Sequence, residues 1–207
     1  VDSANDPTII INDCDLVGCS DFNDPEATVI ITNCRFGRTE GHNAAYYGLY
    51  TYSKNTTIKN CSFTSDYIRD EKDRFFNGIY FGDNVTVEMN ECTLAGTKDG
   101  LADLLRKEPG NNTGLAAIDA AKDENGKYTD GTFVGDKKLV QSRIADGFVT
   151  VDKADGTFDV KTGTYVAEVG GIKYDDLATA IAAAKSGNTV KLLADVTADV
   201  IINKNIT

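Results

Sequence analysis

TIIINDCDL (residues 8–16), TVIITNCRF (28–36), TTIKNCSF (56–63) and TVEMNECTL (86–94) superpose on a shared cysteine. Three positions before it stand Ile11, Ile31, Ile58 and Met89, and five before it Ile9, Val29, Thr56 and Val87. Two positions after it stand Leu16, Phe36, Phe63 and Leu94. Side chains on one face of a strand recur every second residue, so the first two rows share a face, and so do the last row and the cysteines. The step from one set to the other is odd. One straight strand therefore cannot turn Ile11, Cys14 and Leu16 the same way, and a bend must intervene at Asn12-Asp13, Thr32-Asn33, Lys59-Asn60 and Asn90-Glu91. Asn and Asp are the non-glycine residues that best tolerate left-handed backbone.

Each repeat thus reads as strand, two-residue corner, strand, with equivalent side chains turned inward in every copy. That is the pattern of a β-solenoid, whose repeats bury their apolar faces only by stacking. Cys14 to Cys34 is a step of 20 residues, Cys34 to Cys61 of 27, and Cys61 to Cys92 of 31, so the corners can stack while loops of unequal length leave elsewhere. GLYTY (48–52) and GIYFG (78–82) read as third strands of their repeats. The loops RTEGHNAAYY (38–47) and SDYIRDEKDRFFN (65–77) absorb the extra length.

Composition narrows the partners. The 207 residues carry 21 Lys+Arg against 32 Asp+Glu, a net charge of −11, which repels nucleic-acid phosphates and anionic lipid surfaces. No nucleic-acid partner is expected. The 41% hydrophobic content is that of a folding chain. No apolar run approaches the roughly 20 residues that span a bilayer, so no membrane insertion is expected. Val1 opens the chain without Met, a basic segment or an apolar leader, and the expectation is a fragment from which an upstream part has been removed.

The I-x-N-C-x-F pattern over residues 8–96 resembles the right-handed parallel β-helix repeats of pectate-lyase-like proteins. Residues 128–207 resemble modules that recur in large secreted and cell-wall surface proteins of Gram-positive bacteria. The resemblance is carried by IADGFVTVDKADGTFDV (144–160) and YVAEVGGIKYDDLATAIAAAKSGNTVKLLADVTADVIINKNIT (165–207). It implies a β-hairpin and a short α-helix capping the open end of a following β-helix. Asp155-Gly156 supplies the hairpin turn. The helix is expected over Asp175–Ser186, capped by Asp175, with Leu177, Ala180, Ile181 and Ala184 on its apolar face and Gly187 as its stop.

The expected division is β-helix coils over 1–97, a cap or irregular connector over 98–127, a β-hairpin region over 128–170, and the capping helix with first strands of a following β-helix over 171–207. TVKLL (189–193) and DVIIN (199–203) would begin those strands. In the connector, Leu101, Leu104 and Leu105 have helical spacing before the Pro109-Gly110 stop.

Cys14, Cys34, Cys61 and Cys92 share one inward register, which predicts a ladder of reduced thiols about 4.8 Å apart, because in-register Cβ vectors do not suit a disulfide dihedral. No metal and no cofactor is expected, since there is no CxxC and the lone His42 sits in a loop. Asp66–Arg74, DENG (123–126) and DKADG (152–156) are acidic but match no calcium motif, and read as solvated loops. By the β-helix resemblance, a polysaccharide lyase or glycoside hydrolase would use ionisable groups near the corners, with Arg35, Arg38, Glu88 and Glu91 as candidates. Tyr46, Tyr47, Tyr50, Tyr52, Tyr67, Phe75, Phe76 and Tyr80 gather in and around two loops, either packing those loops onto the repeats or stacking on sugars and partner proteins.

The expected function is a non-catalytic, extracellular, adhesin-like cell-surface module that is structural or binds carbohydrate or host proteins. Its nearest partners would be neighbouring modules of the same polypeptide. The β-helix polysaccharide lyase or hydrolase is the alternative.

Overall fold

The computed structural model describes residues 6–17, 20–38, 47–65, 77–82, 84–94, 105–107 and 113–207. The fold is mainly β, with several sheets. The first repeat supplies β1 (Thr8–Asn12), β2 (Asp15–Val17) and β3 (Ser20–Phe22). The second supplies β4 (Thr28–Thr32), β5 (Arg35–Arg38) and β6 (Tyr47–Thr51), and the third β7 (Asn55–Lys59), β8 (Ser62–Ser65) and β9 (Asn77–Phe81). The fourth supplies β10 (Thr86–Asn90), β11 (Thr93–Leu94) and β12 (Leu105–Lys107). The first strands of the repeats pair in parallel with one another, the second strands likewise, and the third likewise.

The register follows the cysteine alignment. Ile11, Ile31, Ile58 and Met89 are successive partners, as are Leu16, Phe36, Phe63 and Leu94. The second residue of each corner has positive φ: Asp13 at 55°, Asn33 at 54°, Asn60 at 50° and Glu91 at 56°. Those corners are bonded to one another. The Asp13 N–H donates to the Thr32 carbonyl at 3.1 Å, Asn33 to Lys59 at 3.1 Å, and Asn60 to Asn90 at 3.0 Å. The Asn33 amide donates to the Asp13 carboxylate at 3.0 Å, and the Asn60 amide to Asn33 Oδ1 at 2.8 Å.

Inside the bend lies the largest core. Val29, Ile31, Phe36, Ile58, Phe63, Val87 and Met89 are fully buried, and the Phe36 and Phe63 rings stack at 4.5 Å. Cys14, Cys34, Cys61 and Cys92 are free thiols, each donating to the carbonyl two residues earlier at 3.1–3.3 Å. Cys19 lies outside the described residues. Burial pushes the Cys61 thiol up to about 11.

Within 98–127, expected to be a cap or irregular connector, the described residues include strand. Leu105, read as helical, lies in β12 paired with β9, and β13 (Leu115–Ile118) pairs in parallel with β10. Leu101 and Leu104 lie outside the described residues. Asp119 then repeats the left-handed corner at φ 47°. This fifth corner is one residue shorter, and the Asp119 carboxylate accepts the Glu91 N–H at 2.8 Å, taking the place a backbone carbonyl holds at the other corners.

Beyond β13 the same sheet continues with antiparallel strands. β14 (Thr132–Gly135) pairs with β13, α1 (Lys137–Gln141) follows, and β15 (Phe148–Asp152) and β16 (Phe158–Thr162) form the hairpin expected around Asp155-Gly156. β13 is buried on both faces, with Ala116 in the first core and Leu115 and Ala117 in a second core with Tyr128, Phe133 and Val160.

The last unit holds β17 (Ala167–Val169), β18 (Ile172–Tyr174), α2 (Leu177–Ala183) and β19 (Val190–Leu192). The helix is shorter than Asp175–Ser186. Its cap is Asp176, whose carboxylate accepts from the Thr179 N–H at 2.7 Å, and Asp175 lies outside it. It ends early because Ala184 turns extended and Lys204 donates to the carbonyls of Ile181, Ala182 and Ala184 at 2.8–3.0 Å. The expected parallel strands of a following β-helix are not formed here. TVKLL places β19 antiparallel to β17, and DVIIN carries no strand.

Three outcomes test this arrangement. Thiol titration of the unfolded, unreduced protein finds all 5 cysteines free, whereas a single free thiol would sink the ladder. Ile181→Asp, at 6% exposure, lowers thermal stability by several kcal/mol because it buries an unpaired charge. Asp176→Ala costs about 1 kcal/mol in a urea titration at neutral pH. Bonds from Thr179 hold the Asp176 carboxyl below its usual range, so that contribution is complete above the ordinary carboxylate pKa and disappears as pH falls through the folded value.

Candidate functional site

The corner between the first and second sheets leaves a shallow outward groove of about 550 Å³, lined in part by Asp13, Asp15, Asn33, Arg35, Asn60 and Ser62. Alternation along β2 and β5 sends Asp15 and Arg35 outward while Leu16 and Phe36 point in. Arg35 donates from Nε and Nη2 to the two Asp15 oxygens at 3.0 and 2.9 Å. The groove therefore offers a guanidinium, carboxylates and amides that already bond to neighbouring repeats. Such a surface suits hydrogen bonding to hydroxyl-rich ligands.

Glu88 and Glu91 do not line it. Glu88 lies on β10 of the first sheet, where Lys122 ion-pairs with it and the Tyr128 hydroxyl donates to it at 2.9 Å. Burial, and then the Glu88 charge, push the Tyr128 phenol well up, so it stays a proton donor to that carboxylate. Arg143 donates to Thr86 beside them at 3.0 Å, tying the second core to the first sheet. Glu91 faces Lys59 at 3.8 Å. The side chain of Arg38, on β5, lies outside the described residues.

The aromatic candidates divide. Tyr46, Tyr67, Phe75 and Phe76 lie outside the described residues, as do the side chains of Tyr47 on β6 and Tyr80 on β9. Tyr50 and Tyr52 are half-buried, with rings edge to face at 4.9 Å. Tyr50 occupies the outward position between the buried Leu49 and Thr51. Across the third sheet its register runs Asp21, Tyr50, Tyr80, Arg106. The Tyr52 ring lies against Gly82 of the next repeat, where an added Cβ would come within 2.1 Å of it. Tyr52 is thus a packing residue, which Gly82 admits by lacking a side chain.

Asp123 accepts from the N–H groups of Asn125 and Lys127 at 2.9 and 2.8 Å, and Asp155 from Thr157. Both acidic turns use their carboxylates to close themselves. Asp66–Arg74 and His42 lie outside the described residues. Among the described residues no three His, Cys, Asp or Glu side chains are grouped to hold a metal ion, and no helix is long and apolar enough to cross a membrane.

Sequence reasoning missed the corner groove and the Glu88 cluster. The groove had a signal in the Asp13, Asn33 and Asn60 that stand one position before Cys14, Cys34 and Cys61, read only for backbone conformation. The cluster had none, because Tyr128 is 40 residues from Glu88. Neither a family model, nor a curated protein, nor a solved structure matches this chain.

Proposed function

We propose that the three parallel sheets are the faces of a right-handed parallel β-helix, and that the chain is a non-catalytic, adhesin-like module of an extracellular bacterial surface protein. The reading takes its bacterial, cell-surface setting from the resemblance of residues 8–96 to pectate-lyase-like repeats and of 128–207 to Gram-positive surface modules. One observation carries the non-catalytic part. Arg35, Glu91 and Glu88, which a β-helix lyase or hydrolase would need free and convergent, each pair with a neighbouring strand or with the second core, in Arg35–Asp15, Lys59–Glu91 and Lys122–Glu88.

Ligands of this module are glycans or host-surface proteins meeting the third sheet, where Tyr50 and Tyr80 are register partners. Tyr46, Tyr47, Tyr67, Phe75 and Phe76 flank that face in sequence, and Tyr52 supports it. A regular face suits weak contacts multiplied along an array of modules, so a single chain binds weakly.

Incubation with pectin, polygalacturonate and host glycans, with and without calcium, yields no unsaturated products and no new reducing ends. Glycan binding, measured by titration at about millimolar concentrations, weakens in Tyr50→Ala. Robust turnover that disappears on replacing Arg35, Arg38, Glu88 or Glu91 would overturn this reading in favour of the enzyme.

A further inference from the structure

Asn-Gly occurs twice in the chain, at 77–78 and at 125–126. Glycine carries no Cβ, so its backbone nitrogen lies open to the side chain of the residue before it. That nitrogen can attack Asn Cγ. A five-membered imide forms, the bond from Cγ to the side-chain nitrogen breaks, and ammonia leaves with the proton of the Gly N–H. Water then opens the imide at one carbonyl or the other, giving aspartate or an isoaspartate whose main chain is longer by a methylene. Only water is consumed, and a neutral amide becomes a carboxylate.

The two sites differ in what ring closure must break. Asn77 and Gly78 open β9, where Asn77 is the register partner of Tyr47 in a parallel ladder. Bringing the next nitrogen under Cγ takes ψ out of the extended range, so that strand must first leave its neighbour. Asn125 instead is exposed at the tip of a turn over residues 123–126. Gly126 has φ 73° and open space where a Cβ would stand. Its N–H donates to the Asp123 carbonyl at 3.0 Å, a turn bond whose opening disturbs no sheet.

The same turn carries a joint of the molecule. Lys122 and Tyr128 form a β-bridge across its base, and the Asp123 N–H donates to the Lys127 carbonyl at 2.8 Å. The Asp123 carboxylate accepts the N–H groups of Asn125 and Lys127 at 2.9 and 2.8 Å. Beyond the bridge, the side chains of Lys122 and Tyr128 both end on Glu88 of the first sheet. We infer that Asn125 deamidates spontaneously in the folded protein while Asn77 does not, and that the conversion loosens the grip of Lys122 and Tyr128 on Glu88. A methylene added to the main chain at 125 puts the Lys127 N–H out of step with the Asp123 carboxylate. The new charge also joins Asp123 and Glu124 in one short turn, where like charges repel. An aged chain therefore carries one more negative charge and a weaker joint.

The test keeps the 207-residue protein folded in mildly alkaline buffer for weeks, digests samples under acidic conditions that halt the reaction, and maps the peptides by mass. The peptide holding Asn125 gains the mass difference between amide and acid at least about tenfold faster than the peptide holding Asn77, and isoaspartate is found at 125. In concentrated urea the two convert at similar rates, because no fold distinguishes them. The converted protein separates from fresh protein on an anion exchanger, and its amides at Lys127 and Tyr128 exchange with deuterium faster. Asn125→Gln, whose larger ring closes far more slowly, keeps the fresh exchange pattern after the same ageing. Asn125 that stays intact in the folded chain overturns the site, and Asn77 converting as fast in the folded chain overturns the selection by the fold. Unchanged exchange at Lys127 and Tyr128 in the converted fraction overturns the loosened joint.

Discussion

The left-handed residue at each corner is the constraint on which the rest of this structure depends. If Asp13, Asn33, Asn60 or Glu91 were extended, the cysteine and the Leu or Phe two residues later would turn to the opposite face and leave the core. An L-residue in this conformation costs roughly 1–2 kcal/mol. Stacking offsets that cost, because the corner N–H groups of Asp13, Asn33 and Asn60 find carbonyls on the next repeat, that of Glu91 finds the Asp119 carboxylate, and the Asp13, Asn33 and Asn60 side chains bond in a row. A single repeat would bear the strain without the compensation, so corner and stack stabilise each other.

The row must also end, and it ends in a change of chemistry. Asp119 shortens the fifth corner by one residue and offers Glu91 a carboxylate in place of another backbone carbonyl. β13 then accepts an antiparallel neighbour, and its two faces serve two cores. Glu88, Lys122, Tyr128, Arg143 and Thr86 bind the outer face of the first sheet to that second core. Arg35, Glu88 and Glu91, which look catalytic in the sequence, are here joints between repeats and units. At the other end β1, β2 and β3 are the outer strands of their sheets, and Ile9, Ile11 and Leu16 are only partly buried.

Legibility followed the range of the interactions. The corner and its register were readable because both depend on the parity of side chains a few residues apart and on the backbone preference of Asn and Asp. The hairpin at Asp155-Gly156 and the presence of a helix near Leu177 were readable for the same reason. The helix limits were not. Asp175 and Asp176 are equivalent as sequence, and only the chain's path chose Asp176 to meet Thr179. The early end needed Lys204, 20 residues beyond Ala184, to satisfy the last carbonyls. Leu105 shows the reverse error, since its apolar spacing fitted a helix while its strand rests on backbone bonds to β9.

The candidate site divides along the same line. The sequence by itself determined which residues of the corner strands face inward, hence that Arg35 faces out, because alternation along a strand is a covalent property of the chain. Tertiary structure decided what those outward groups do. Arg35 meets Asp15 from 20 residues earlier, Tyr128 donates to Glu88 from 40 residues later, and the Tyr52 ring fits only because position 82 has no Cβ. Whether a charge is free for chemistry or spent on a neighbour depends on which strands lie side by side, and that is set by packing over distances the local pattern does not encode.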